Sequence, residues 1–356
     1  MIPPLADPAV TRVAIVRLRV GLGDLLCSMP ALNRLRRARP DLEVSLITWP
    51  EMSGVVERMG DAVDELLPFP GVDGIPERPP DPHGWADFVV AAARRCFDLA
   101  VQMYGDRPAA NRVAAAVGAR LTGGFAPTGW APPHASARLY LRYPLHLHEA
   151  DRHVRLLEHL GLPVGGPVTM EFPIRRADED EHAATLGEHG LRPGGYVVVH
   201  AGASSPTRRW PAERFAAVAD ALADDGLAVV LTGVGAERDV SAAVAARMRS
   251  PATDLTGVTS LGGLAALLRD SAVLVGNDTG SAHLAAAVGS RSVTVFLAGD
   301  PHRWAHSGPG HAAVAATVPC APCPHLTCPI DFRCAGSVSA RDVLARARTL
   351  VAAGER

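Results

Sequence analysis

Three observations predict an α/β protein made of two Rossmann-like domains. At 356 residues the chain exceeds one ordinary core and fits two domains of about 150 residues. Short apolar strand runs alternate with amphipathic helical stretches in two series, one opening at Val13 and the other at Tyr196, which is the order of a parallel sheet. Between them, the stretch 161–176 carries Pro163, Gly165, Gly166, Pro167 and Pro173, the composition of a domain boundary. The expected division is 1–170, 171–337, and a terminal helix within 338–356.

The first series begins with a buried-type strand, Val13 to Leu18, then the turn Arg19-Val-Gly-Leu-Gly-Asp24, then a helix running to Arg39 with Leu25, Leu26, Met29, Leu32 and Leu35 on its apolar side. A dinucleotide fingerprint would need a third glycine where Leu26 stands, so that site is excluded. The turn instead presents Asp24 at a helix start, where it serves either as a cap or as a functional carboxylate. A second strand spans Leu42 to Ile47, 61–87 reads as loop, and a helix at Trp85 to Arg95 leads to a strand at Leu99 to Met103. Asp106, Arg107 and Arg112 follow in what reads as a carboxyl-end loop. The stretch 123–147 gives no clear periodicity, and His146, His148 and His153 match no metal spacing and read as surface residues.

The second series has strands at Tyr196 to His200, Leu227 to Thr232, Val273 to Val275 and Val293 to Phe296. Its most informative stretch is Val273 to Val288, V-L-V-G-N-D-T-G-S-A-H-L-A-A-A-V, a strand, a tight loop and an Ala-rich helix. The amides of Thr279, Gly280 and Ser281 would converge there on an anion, a phosphate being the natural guest. In the alternative, Asp278 or Thr279 caps the helix and His283 packs against a neighbour. After the first strand, Ser204, Ser205, Thr207, Arg208 and Arg209 precede Trp210 and Pro211; arginine binds phosphate oxygens in bidentate fashion.

Composition narrows the function. A formal charge of −2 offers no basic footprint for nucleic acid. All 35 basic residues are Arg, which excludes Schiff-base lysines and the P-loop lysine. The first residues lack the basic patch and apolar stretch of a signal peptide, and no uncharged apolar run reaches the ~18 residues that span a bilayer. A cytoplasmic protein is expected, with peripheral membrane contact left open. Cys320, Cys323, Cys328 and Cys334 form a cluster that reads either as a structural zinc or iron site or as reduced thiols in a Pro-rich loop; Cys27 and Cys96 read as isolated and buried.

Asn277 to Gly289, N-D-T-G-S-A-H-L-A-A-A-V-G, resembles the D-[ST]-G-x-x-H-L-A-A-A segment of glycosyltransferase family nine, the ADP-heptose:lipopolysaccharide heptosyltransferases. Arg17, Leu18, Gly23, Asp24, Pro30, Ala31 and Leu32 match the family's N-terminal motif, and Leu255-Thr-Gly-Val-Thr-Ser-Leu its L-T-G-x-T-S-L run. The resemblance implies a GT-B fold, two Rossmann-like domains facing across a cleft, and an inverting, metal-independent transfer of a heptose from an ADP-sugar to a hydroxyl. It implies Asp24 as catalytic base, beside Gly23 of the same motif on the acceptor side; Arg107 and Arg112, by their place in a carboxyl-end loop, read either as acceptor contacts or as solvated loop residues. On the donor side it implies Arg208 at the phosphates, Glu237 at the ribose, and Asp278, Thr279, Gly280, Ser281 and His283 around them. It also implies a last helix, Ser339 to Ala353, packed back on the N-terminal domain, and no cofactor for catalysis beyond a possible structural zinc or iron at the cysteines. The acceptor implied is a glycan, glycolipid or small molecule. The rival readings are a GT-B-fold sugar-nucleotide epimerase and a non-catalytic nucleotide-sugar-binding module.

Overall fold

Each half of the chain folds around one six-stranded parallel sheet in this computed structural model, which describes residues 2–354 and divides between Met170 and Glu171. The first sheet comprises β1 (Arg12–Val16), β2 (Glu43–Thr48), β3 (Glu65–Pro68), β4 (Leu99–Gln102), β5 (Leu121–Ala126) and β6 (Tyr140–Arg142), in the order β3-β2-β1-β4-β5-β6. The second comprises β7 (Tyr196–His200), β8 (Ala228–Leu231), β9 (Ala252–Asp254), β10 (Val273–Asn277), β11 (Ser292–Phe296) and β12 (His311–Ala315), in the order β12-β11-β10-β7-β8-β9. Counted within each unit, both follow the doubly wound order 3-2-1-4-5-6, whose ligand crevice lies where the winding reverses. The reversal falls between β1 and β4 in the first unit and between β7 and β10 in the second.

The central strands are continuous apolar runs because helices cover both faces of a parallel sheet. β7, β10 and β11 are buried at every position, with Val275 in register with Val199 on one side and Val293 on the other. Trp210 is buried, and its ring meets Phe215 edge-on, 4.9 Å between centroids, which fixes the entry to helix Ala212–Asp224.

Several details differ from expectation. The helix expected without interruption to Arg39 is two, Leu22–Leu26 and Met29–Ala38, because Pro30 lacks the N–H that continuation needs and sits comfortably only in a first turn. The stretch 61–87 hides β3, and 123–147 hides most of β5 and all of β6. The terminal helix Ala340–Gly354 packs on helix Ala212–Asp224 and on β10, β11 and β12, and its Val343, Ala347 and Leu350 belong to the core of the second unit rather than that of the first. His153 is buried, its Nδ1 3.0 Å from the Cys27 carbonyl, and Cys96 is exposed rather than buried. No helix among the described residues is long and apolar enough to cross a membrane.

Candidate active site

In the second unit the loops after β7, β8, β10 and β11 gather at the carboxyl edge around the β7/β10 reversal. Asn277, the last residue of β10, is wholly buried and ties two of them together. Its Oδ1 accepts the Trp210 amide at 3.0 Å, and its Nδ2 donates to the Ala201 carbonyl at 2.7 Å and the Gly202 carbonyl at 3.3 Å. The motif contained this residue, but nothing local marks it as the clamp of a loop 67 positions away.

Asp278 follows, 3% exposed, its amide bonded to the Val295 carbonyl at 3.1 Å. Its carboxylate does not cap the next helix, Gly280–Ala287. Thr279 holds the cap position without a side-chain bond to it, and its hydroxyl lies 3.0 Å from Ser281 Oγ. The helix start is thereby kept for an outside acceptor, the arrangement that favours anions. Asp278 Oδ2 lies 3.8 Å from Arg208, whose half-exposed guanidinium reaches over from the β7 loop. A Cβ at Gly299, after β11, would overlap that carboxylate, so the Gly299–Asp300 turn closes directly on Asp278.

The β7 loop corrects part of the sequence reading. Ser205 Oγ donates to the Leu326 carbonyl at 2.9 Å and Thr207 Oγ1 to that of His325 at 2.8 Å, while Arg209 Nε donates to Ala203 O at 2.9 Å. These side chains fasten the loop, and Arg208 is the residue it presents.

Glu237 lies in the turn after β8, about nine-tenths buried. Its Oε2 accepts the Val234 amide at 3.0 Å and lies 3.7 Å from His200 Nε2. Gly202 leaves the space its carboxyl group occupies, since a Cβ there would overlap it. His200 Nδ1 is 3.1 Å from Thr232 Oγ1, and burial pushes the imidazole below the ordinary histidine range against the opposing pull of the Glu237 charge. His283 is buried on helix Gly280–Ala287, its Nδ1 2.9 Å from His306 Nε2 and its ring edge-on to Trp304.

In the first unit the corresponding reversal holds Arg17 and Asp24. Arg17 is wholly buried at the end of β1 and donates to Ser28 Oγ, to the Met103 and Tyr104 carbonyls, and to Asp24 O at 2.8 Å and Oδ1 at 3.3 Å. A buried cation is costly without partners. Here Glu149 supplies a second carboxylate at 3.4 Å, itself bonded to Arg152 at 3.0 Å and to the Tyr143 hydroxyl at 3.4 Å. Asp24 is not a helix cap: it lies inside the five-residue turn Leu22–Leu26, oriented by Arg17, with Arg19 Nε 4.0 Å away. Gly23 is its buried neighbour. Arg107 and Arg112 are both exposed, one at the start of helix Pro108–Ala116 and one within it.

Cys320, Cys323, Cys328 and Cys334 line a cavity of about 130 Å³ together with His325, Phe332 and Arg333. Among the described residues no group of three His, Cys, Asp or Glu side chains is set to hold a metal ion, and the four cysteines share the cavity wall. The loop is held by its backbone, through the two carbonyls above and a bond from the Cys323 amide to Ala298 O at 2.8 Å.

Two doubly wound sheets, with the candidate residues in loops at their carboxyl edges, define a two-unit Rossmann-type α/β protein. The model of glycosyltransferase family 9 (heptosyltransferase) matches residues 94–332, and the chain belongs to that family. It is 30% identical over 154 residues to lipopolysaccharide heptosyltransferase 1 of Pseudomonas aeruginosa, covering 40% of this chain and 43% of that protein, so less than half of the relative's length is matched. The fold is similar to the crystal structure of a family 9 glycosyl transferase from Veillonella parvula, with a TM-score of 0.81 at 21% identity over 96% of this chain and 98% of that one. It is also similar to the E. coli ADP-heptose lps heptosyltransferase II, with a TM-score of 0.72 at 16% identity over 97% and 100%. The fold is thus of the GT-B type.

Proposed function

We propose that the protein is an inverting glycosyltransferase that moves a heptose or related sugar from an ADP-sugar to an acceptor hydroxyl. The observation that carries this reading is the second sheet's reversal point, where Arg208, buried Glu237 and the uncapped helix start at Thr279–Ser281 lie on adjacent loops. Arg208 and the helix amides are suited to the diphosphate, and they stabilise the charge that grows on the departing phosphate as the sugar–oxygen bond breaks. Glu237, held through Oε2 by the Val234 amide, accepts from ribose hydroxyls. With phosphate charge met by these groups, the reaction as proposed assigns no step to a metal. Asp24 takes the acceptor's proton as the new bond to the sugar carbon forms, and Arg17 orients its carboxylate for this. Arg107 and Arg112 are assigned to the acceptor, a glycan, glycolipid or small molecule, and the work is assigned to the cytoplasm or the inner membrane face. The match to heptosyltransferases supports a transferase over the epimerase and binding-module readings.

The test is calorimetry with ADP and UDP, followed by incubation with ADP-heptose and candidate acceptors, reading ADP release and product mass. Binding of ADP in preference to UDP, weakened in Arg208→Ala, is expected. Preference for UDP, or unchanged ADP affinity in Arg208→Ala, overturns the donor assignment.

A further inference from the structure

His306 lies in the segment after the short helix Pro301–Trp304, and no sequence motif points to it. Its Nε2 is 2.9 Å from Nδ1 of His283, which is 3% exposed on the helix whose start is assigned to the donor diphosphate. The two rings stand at 88° with centroids 4.8 Å apart, so the ring nitrogens meet in a hydrogen bond rather than the rings in a stack. The groups around the pair include Trp304, edge-on to His283 with the Arg303 guanidinium 4.6 Å over the Trp304 ring, and His311 on β12, 5.7 Å from His306 between centroids. His311 is bonded to Ser292 Oγ of β11 at 2.9 Å, and burial pushes it below the usual histidine range. Asp278 precedes the same helix, and Asp300 caps the His302 amide.

A bond between two imidazole nitrogens holds one proton, and its position decides what the other nitrogen of His283 can offer. If His283 donates through Nδ1 while neutral, its Nε2 carries a lone pair that repels an anion. If His306 donates, Nε2 of His283 bears a proton. If the pair takes up one further proton, His283 becomes a cation that still donates to His306. An anion at the helix start selects the states with Nε2–H, and a doubly charged diphosphate selects the cation most strongly.

We propose that His306 is a positioning residue for His283, and that donor binding is coupled to uptake of a proton by the His283–His306 pair. This rests on the donor reading given above, with His283 among the groups around the diphosphate as the resemblance implies.

The probe is ADP-glucose, whose phosphates keep the same charge between about pH 6 and pH 8, so that any proton taken up comes to the protein. Calorimetry on the full chain in two buffers of different ionisation enthalpy counts protons directly. The expected result is uptake of a substantial fraction of one proton, with affinity falling as pH rises, by up to about tenfold per unit. In His306→Phe the inflection moves toward acid by at least about one pH unit, because the Nδ1 proton of a buried cation loses its acceptor, and affinity near pH 6.5 drops about tenfold. His306→Gln, whose amide can accept or donate at Nδ1, restores most of the affinity. Binding without proton uptake in the wild-type chain, or a pH profile in folded His306→Phe that superimposes on wild type, overturns the pair while leaving the donor reading intact. No binding of either ADP-glucose or ADP at any pH overturns both.

Discussion

Replacing Asn277 with Ala removes a buried side chain that joins β10 to the loop carrying Arg208. In the variant the Trp210 N–H and the Ala201 C=O lose partners at 3.0 and 2.7 Å inside a fully buried site, and the 3.3 Å bond to Gly202 goes as well. Each buried group left unsatisfied costs about 1–3 kcal/mol, so the expected loss is about 2–5 kcal/mol in the second unit. Against a total of about 5–15 kcal/mol for a domain, this is a large fraction. Hydrogen exchange at the Trp210 amide is the assay of choice, because it reads this unit alone and the hydrogen bond in question. Urea unfolding by circular dichroism supplies the global value. Protection at Trp210 is expected to fall by at least about tenfold, and ADP affinity to fall with it, since the loop that presents Arg208 is no longer held. Retained Trp210 protection with a stability loss below about 1 kcal/mol would refute the argument that Asn277 organises the loop.

Arg208→Ala removes a charged phosphate contact, worth about 1.5–3 kcal/mol, so the ADP dissociation constant is expected to rise by about 10- to 150-fold in calorimetry; a change under threefold contradicts the assignment. Burial holds His200 and His311 below the ordinary histidine range, so below about pH 6.5 the unfolded chain binds protons that the folded chain refuses. Stability is therefore fully present above that pH and is lost as pH falls, by up to about 1.4 kcal/mol per unit for each residue until its folded-state value is passed; urea midpoints that rise toward acid in this window, or that are unaffected by His200→Asn, contradict this. Cys323→Ser is expected to change stability by less than about 1 kcal/mol, because its loop is tied down by the backbone of residues 323, 325 and 326; a loss of several kcal/mol together with bound zinc or iron would restore the metal reading.

What was legible in the sequence tracks what is buried on both sides. β1, β2, β4, β7, β8, β10 and β11 read as continuous apolar runs because helices cover them. The four edge strands did not. β3 ends in Pro68, β6 and β9 are three residues each, and β12 is alanine-rich and partly exposed, so none shows the β-branched, buried run of the central strands. β5 was masked by Gly123 and Gly124. The terminal helix reads as amphipathic in the sequence, but amphipathicity names a face and not its partner.

At the site the same limit applies. Motifs displayed Asp24, Arg208, Glu237 and the 278–283 stretch because each sits just after a strand. The residues that orient them are far off in the chain: Glu149 lies 132 positions from Arg17, His306 lies 23 from His283, and Trp210 lies 67 from Asn277. Hydroxyls beside an arginine suit a phosphate, which is what the sequence suggests for Ser205 and Thr207, yet carbonyls 121 and 118 residues downstream take both. No local pattern encodes such long-range partners.

The most direct test of the proposed chemistry is turnover of ADP-heptose by wild type and Asp24→Asn, with acceptors present and both ADP release and product mass recorded. Asn keeps an Oδ1 acceptor for Arg17 at the 3.3 Å contact while removing the basic carboxylate. Proton transfer of this kind is typically worth about 10² to 10⁴ in rate, so kcat is expected to drop at least about a hundredfold while ADP affinity stays within about twofold of wild type. An Asp24→Asn enzyme that forms glycosylated product at the wild-type rate would contradict the account.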